Sequence, residues 1–372
     1  MKRIAFLLLA AVLLLSLCAC AKKPVEEEPT PKPSLLPVEE ITPTPEPTPE
    51  PTPEPTPYVG PTNPLSGLPI DEARVNARPY AIMINNRKIA QPQLGISQAD
   101  IIIEAPAEGG ITRMLAIFQD VTNAGNIGSV RSSRPYYVEL AESFDAIYIC
   151  AGGSDDAYRT LKNHGVTYLD GVNGSKQDIF FRDSWRRNNM GFEHSLLTSG
   201  ERINKHIPTY GVRMEHEATF VNPYVFEDDY VIAVGDADGG NAVSAFKIVY
   251  SSSKSSAFKY DAERGNFSMT QHGGDYKDGN DSTLMLFENV IVMETSIAAI
   301  RGDTEGRLTV KTTGEGKGIV FINGKGANIK WSKASHSAPL VFTNEDGTPL
   351  VLSSGKTYIG VTSSLSDITY TD

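Results

Sequence analysis

Four apolar runs constrain the fold more than any other feature: YAIMINN (80–86), ADIIIEA (99–105), ITRMLAIFQ (111–119) and DAIYICA (145–151). A strand with one wet face alternates apolar and polar residues, whereas these runs are continuous and rich in β-branched side chains. They are therefore expected as central strands, covered on both faces. Helical signals lie between and after them. PYYVELAESF (135–144) carries Pro135 at a helix start, SDDAYRTLKNHG (154–165) opens on a capping residue and closes on Gly165, and TSGE (198–201) matches a capping box. Three helices are thus predicted. From about Met214 these signals stop, and alternating runs such as AFKIVY, TLMLFENVIVME, GIVFINGK and KTYIGVT take over, some divided by turn pairs at Asn323-Gly324 and Asp346-Gly347. The expected class is α+β, with a mixed β-sheet and helices over residues 61–213 and a mainly antiparallel β domain over residues 214–372.

The chain ahead of this body has another character. Lys2 and Arg3 precede an apolar stretch, residues 4–17, broken only by Ser16. At 1.5 Å per residue this stretch is too short to cross roughly 30 Å of hydrocarbon, so it reads as a signal peptide, residues 1–19. Leu17-Cys18-Ala19-Cys20 resembles a bacterial lipobox, with Leu at minus three, a small residue at minus one and Cys20 as the lipidated residue. The expected location is the outer leaflet of the cell membrane, where acyl chains on Cys20 hold the protein at about 0.8 kcal/mol per buried CH₂. Residues 20–60, with the repeat PEPTPEPTPEPTP, hold almost nothing that could be buried and form a solvated tether. In polyproline II form it would reach roughly 100 Å.

The formal charge is −11, and the leader (+2) and tether (−5) leave −8 for the body, so nucleic acid is excluded as a partner. Once Cys18 is removed with the leader and Cys20 is lipidated, Cys150 is the remaining thiol of three cysteines, and an intramolecular disulfide is ruled out. Stability must come from an apolar core. The motifs HExxH, GxxxxGK[ST], GxSxG and paired CxxC are missing, and the six histidines are scattered, so neither a metal site nor a cofactor is predicted.

Candidate site residues concentrate in the first half. In EAPAEGGITR (104–113), a two-residue turn at Glu108-Gly109 would set Glu104 across from Arg113 as an ion pair. GSVRSSRPYYVEL (128–140) places Arg131, Ser132, Ser133 and Arg134 just before a helix start. Free N–H groups and partial positive charge there suit an anion; alternatively the serines cap the helix and the arginines pair with Glu104, Glu108 or Asp145. At IYICAGGSDDAYRTL (147–161), Gly152 and Gly153 permit a tight turn on the rim of the same cleft, with Ser154 as a cap. FFRDSWRRNNMGFEHS (180–195) gathers Arg182, Asp183, Arg186, Arg187 and His194 in what reads as a loop over the site, with His194 the candidate acid or base.

With these residues in view, RPYAIMINN, PQLGISQADIIIEAPAEGGITRMLAIF, GSVRSSRPYYVELA, DAIYICAGGS and FFRD resemble the YerB-like lipoproteins of Gram-positive bacteria, over about residues 62–372. NVIVMET, GEGKGIVFINGK, IKWSK and GKTYIGV extend the likeness into the second half. The resemblance implies an α+β fold with two packed β layers and helices on one side, and domains of unknown function from which no catalytic residue carries over. The chain departs from the family where a Pro-His-Asn run usually follows an FWRD-like motif: Phe181 replaces the Trp and Glu193-His194-Ser195 replaces the run. Two functions stay open. One is an envelope lipoprotein binding a cell-wall component or a partner protein through the arginine-rich cleft. The other is an envelope enzyme acting on a phosphorylated or pyrophosphoryl glycan carrier, with Arg113, Arg131 and Arg134 on phosphate and Glu104, Glu108 or Asp145 on a cation.

Overall fold

A computed structural model describes residues 58–232 and 240–371. The leader, Cys20 and most of the tether lie outside the described residues. The body forms one compact unit.

Its frame is an eleven-stranded mixed sheet to which both halves of the chain contribute. From the first half come β1 (Tyr80–Asn85), β2 (Ile101–Pro106) and β3 (Thr112–Phe118), then Ile147–Cys150 and Tyr168–Asp170 beyond β1. β3 pairs antiparallel with β1 and β2, while Ile147–Cys150 lies parallel to β1. From the second half come Asn289–Glu294, the hairpin Gly314–Ile322/Lys325–Lys333, and Thr357–Thr362. Thr357–Thr362 lies between Asn289–Glu294 and β2 and is parallel to both. The main sheet therefore runs unbroken across the boundary expected near residue 214.

Both faces of this sheet are covered, which is why the four runs are continuously apolar. Tyr80, Ile82, Ile84, Ile102 and Met114 face a second, six-stranded sheet built from residues 245–287 and 368–371; Phe246, Phe258, Phe267, Phe287, Phe321 and Tyr358 share that core. Ala81, Met83, Ile101, Ile103 and Leu115 face the helices Pro135–Glu142 and Asp155–His164, which contribute Tyr137, Leu140 and Leu161. The layering is β/β/α, as expected. Ser154 and Gly165 cap the second of these helices. Cys150 is fully buried.

Three local expectations are corrected. The TSGE helix is capped one residue later, by Ser199, whose hydroxyl accepts from Arg202 N at 3.2 Å, while the Thr198 hydroxyl donates to Ile179 O at 2.8 Å. The 180–195 stretch is not a loop: it holds the strand Phe181–Arg182 and a helix, Ser184–Asn189, whose first turn Asp183 caps by accepting from Arg186 N at 2.7 Å. The β2–β3 turn takes three residues, not two. Ala107 N donates to Ile111 O, and Gly109 and Gly110 adopt φ 69° and 72°. That extra residue shifts the register so that Arg113 faces Ala105 and Glu104 faces Met114. A shift of one residue moves a side chain to the other face, so Glu104 and Arg113 point to opposite sides of the sheet and form no ion pair.

Candidate functional site

The carboxyl ends of the parallel strands gather most of the candidates, as expected for an open sheet. The segment 129–134 crosses this edge, with Arg131 N on Met83 O at 2.9 Å and Ser133 N on Gly152 O at 2.8 Å. Gly152, at φ 76°, donates its N–H to Asp170 Oδ1 at 2.7 Å, and Gly153 bridges to Ser133. Ser133 does not cap the helix Pro135–Glu142; its hydroxyl accepts from Tyr148 OH at 2.8 Å, and Arg134 occupies the N-cap without a side-chain cap bond.

On the helix side of the sheet, Glu108 is held by two arginines. Arg134 Nε and Nη2 donate to its two oxygens at 3.1 and 2.5 Å, and Arg113 Nη2 contacts Oε1. Arg113 Nη1 donates to Ser132 O and Arg134 Nη1 to Ser133 O. Burial raises the Glu108 carboxyl, but Arg113 and Arg134 outweigh it and hold it below its ordinary value. Arg113 and Arg134 are buried, so this trio locks the β2–β3 turn to the 132–134 segment.

Arg131 belongs to a more open group. It donates to Glu193 O at 2.7 Å and Oε2 at 3.1 Å, while Arg87 meets Glu193 Oε1 at 3.2 Å. Arg182 donates to Phe192 O at 2.8 Å and stacks on the Phe192 ring. His194 is buried, with Nδ1 at 2.9 Å from Asn85 Nδ2 and Nε2 at 3.1 Å from Glu193 Oε1. Burial lowers its pKa, Glu193 opposes this, and Arg131 and Arg87 add to it. The neutral ring accepts at Nδ1 and donates at Nε2. Asp145 lies apart from this edge, paired with Arg78, Arg213 and His216. The three carboxylates considered for a cation therefore occupy three separate places.

On the other face, Glu104 is fully buried and fully partnered. Oε1 accepts from Asn86 Nδ2 at 2.9 Å and Thr112 Oγ1 at 2.5 Å; Oε2 accepts from Ser256, Gln271 and Tyr358 at 2.9, 2.7 and 2.6 Å. Lys254 Nζ lies 3.6 Å from Oε1 and contacts Gln271 Oε1 and His272 Nε2. Burial lowers the Lys254 pKa and Glu104 opposes it; burial, with Lys254 next, pushes His272 down to about 4. Above Lys254 and His272 opens a cavity of 640 Å³ whose wall also includes Asn86, Arg87, Lys88 and Gly110. Arg87 touches both this cavity and Glu193, so cavity and arginine edge are neighbours. Lys254 and His272 were not candidates from the sequence. The one available signal was Glu104 itself, an acid inside IIIEA that needed buried partners, but the partners of its Oε2 lie 150 or more residues downstream.

Fold and geometry together define a three-layered α+β protein with a basic cavity beside the carboxyl edge of its central sheet. The chain belongs to the DUF3048 family. The family described as protein of unknown function (DUF3048) matches with its N-terminal domain over residues 65–213 and its C-terminal domain over residues 246–359. A Bacillus subtilis (strain 168) protein carrying the provisional name lipoprotein YerB is 30% identical over 301 residues, which cover 80% of this chain and 85% of that protein. The crystal structure of YerB from Bacillus subtilis matches with a TM-score of 0.71 at 28% identity, covering 84% of this chain and 100% of that one. Among the described residues no helix is long and apolar enough to cross a membrane.

Proposed function

We propose that this protein is a membrane-anchored lipoprotein, held by Cys20 on the extracytoplasmic face, that binds an anionic cell-envelope component without transforming it. The carrying observation is the 640 Å³ cavity: Arg87, Lys88 and Lys254 line it together with the neutral ring of His272, and none of its lining residues is acidic, in a chain whose formal charge is −11. Phosphate-bearing or carboxylate-bearing polymers supply the complementary charge. Arg131 and Arg182 extend the basic surface past Glu193, whose exposed carboxylate an incoming anion can displace. Arg113, Arg134 and Glu108 are assigned a supporting role, since each already has charged partners, and Ser132, Gly152 and Gly153 shape the backbone that carries them. The catalytic alternative draws no support from this arrangement, because Glu104, Glu108 and Asp145 do not converge.

The test is a thermal shift on the full-length protein with phosphate, pyrophosphate and teichoic-acid fragments. Binding to the native state raises the melting temperature. Arg87 and Lys88 are exposed, so the double variant Arg87→Ala/Lys88→Ala is expected to change intrinsic stability by no more than about 0.5 kcal/mol per site while losing the anion-induced shift. A wild-type protein unmoved by all three anions contradicts the proposal.

A further inference from the structure

Three side chains come together that the sequence separates widely. Glu142 ends the helix Pro135–Glu142, His164 ends the helix Asp155–His164, and His336 lies in the second half, 194 residues beyond Glu142. His164 Nδ1 stands 2.8 Å from Glu142 Oε2 and His336 Nδ1 stands 2.9 Å from Oε1. The two rings stack at 3.7 Å. One ligand atom from each residue lies within 4.8 Å of the others. We propose that Glu142, His164 and His336 form a binding site for a divalent transition-metal ion of the zinc class.

The donor set fits that chemistry. Two imidazole nitrogens and one carboxylate are a common three-ligand zinc set, leaving a fourth position for water or an exogenous ligand. Ligand atoms around a tetrahedral zinc stand about 3.3 Å apart at bond lengths near 2.0–2.1 Å, so each Nδ1–carboxylate contact, now 2.8 and 2.9 Å, opens by about half an ångström and the two stacked rings splay apart to aim both nitrogens at one ion. Both imidazoles bind as neutral rings: each proton now directed from Nδ1 to Glu142 moves to Nε2, and the freed Nδ1 lone pair takes the metal. The charge balance is also favourable, because one carboxylate supplies the negative charge and no proton need leave the site.

The surroundings hold the ligands and leave room. Lys333, itself buried, donates to His336 O at 2.6 Å and Ala338 O at 2.5 Å, fixing the loop that carries His336. Gly165 at φ 68° closes the helix immediately after His164, so that ring sits on a fixed helix end. A cavity of 660 Å³ reaches Glu142 and His164 and continues past Ser337 and Pro339, which gives the fourth position access to solvent. The site joins helices of the first half to a loop of the second. It lies apart from the basic cavity and does not rest on the anion-binding proposal.

The full-length protein, extracted in detergent and stripped with chelator, is titrated with Zn²⁺ by calorimetry and with Co²⁺ by visible absorption. The expected result is a single metal per chain, with the intense d–d bands of tetrahedral cobalt. In His164→Ala and in His336→Ala the affinity is expected to fall by more than about 100-fold, beyond the loss that removal of an outer-shell partner causes, whereas His206→Ala retains it. The His336 side chain is 42% exposed, so His336→Ala is expected to melt like the wild type without metal, which separates ligand loss from misfolding. A wild-type chain that takes up neither ion, or a folded His336→Ala variant that binds as tightly as the wild type, overturns the proposal.

Discussion

The arginines near the carboxyl edge look alike in sequence, and the burial of their carboxylate partners, Glu108 at 21% exposed against Glu193 at 53%, decides what the loss of each pair costs. Glu108→Ala would leave Arg113 and Arg134 buried without their carboxylate, so it is expected to destabilise by about 3–5 kcal/mol in urea denaturation. Arg131 pairs with Glu193, which is 53% exposed, so Arg131→Ala is expected to cost under about 1 kcal/mol. Equal costs would refute this division. His272 offers a pH test. Its folded pKa of about 4 lies below the ordinary value of 6.5, so between those values the unfolded chain binds a proton that the native state refuses. Stability is therefore lost as pH falls from 6.5 toward 4. His272 sits at φ 55°, a conformation that asparagine tolerates, and His272→Asn is expected to flatten the stability curve in that window when wild type and variant are compared by chemical denaturation at stepped pH. Residue types were legible in the sequence here, and their partners were not. Arg131 and Arg134 stood out in RSSRP, yet a single extra turn residue at Gly110 decided that Glu104 would be buried against the second sheet and that Arg113 would turn to Glu108.

At the scale of elements, the sequence exposed the central strands because burial on both faces writes itself as continuous apolar composition. The helices over Pro135–Glu142 and Asp155–His164 were equally visible from Pro135, Ser154 and Gly165. The helix Ser184–Asn189 was hidden, since six polar or aromatic residues with a single buried member, Arg186, carry no apolar period. The order of strands was hidden as well. Nothing local to Thr357–Thr362 marks it as the neighbour of β2, because parallel pairing follows a long crossover and leaves no hairpin turn to read. This placement predicts that residues 61–213 alone will not fold. Without Thr357–Thr362, β2 would present an unpaired apolar edge, Ile101–Glu104, to solvent or to another copy. The isolated fragment is expected to aggregate or to show no cooperative melting by circular dichroism, and a soluble fragment with a sharp transition would contradict a sheet shared between the halves.

For the molecule as a whole, the proposal draws on the leader, lipobox and tether for its membrane surface and on the basic cavity for its class of ligand. Cys20→Ala is expected to move the protein from the membrane to the soluble fraction, because no helix among the described residues can replace the lipid as an anchor. Persistence of the variant in washed membranes would defeat the lipoprotein assignment. The net negative charge works against non-specific capture of polyanions, so the proposed binding is expected to be local to the cavity and to weaken as salt screens it. The most direct measurement is a crystal structure of the protein grown with pyrophosphate. The expected result is density for the anion inside the 640 Å³ cavity, within hydrogen-bonding reach of Arg87, Lys88 or Lys254. Density confined to other surfaces, with the cavity holding only water, would contradict the central claim.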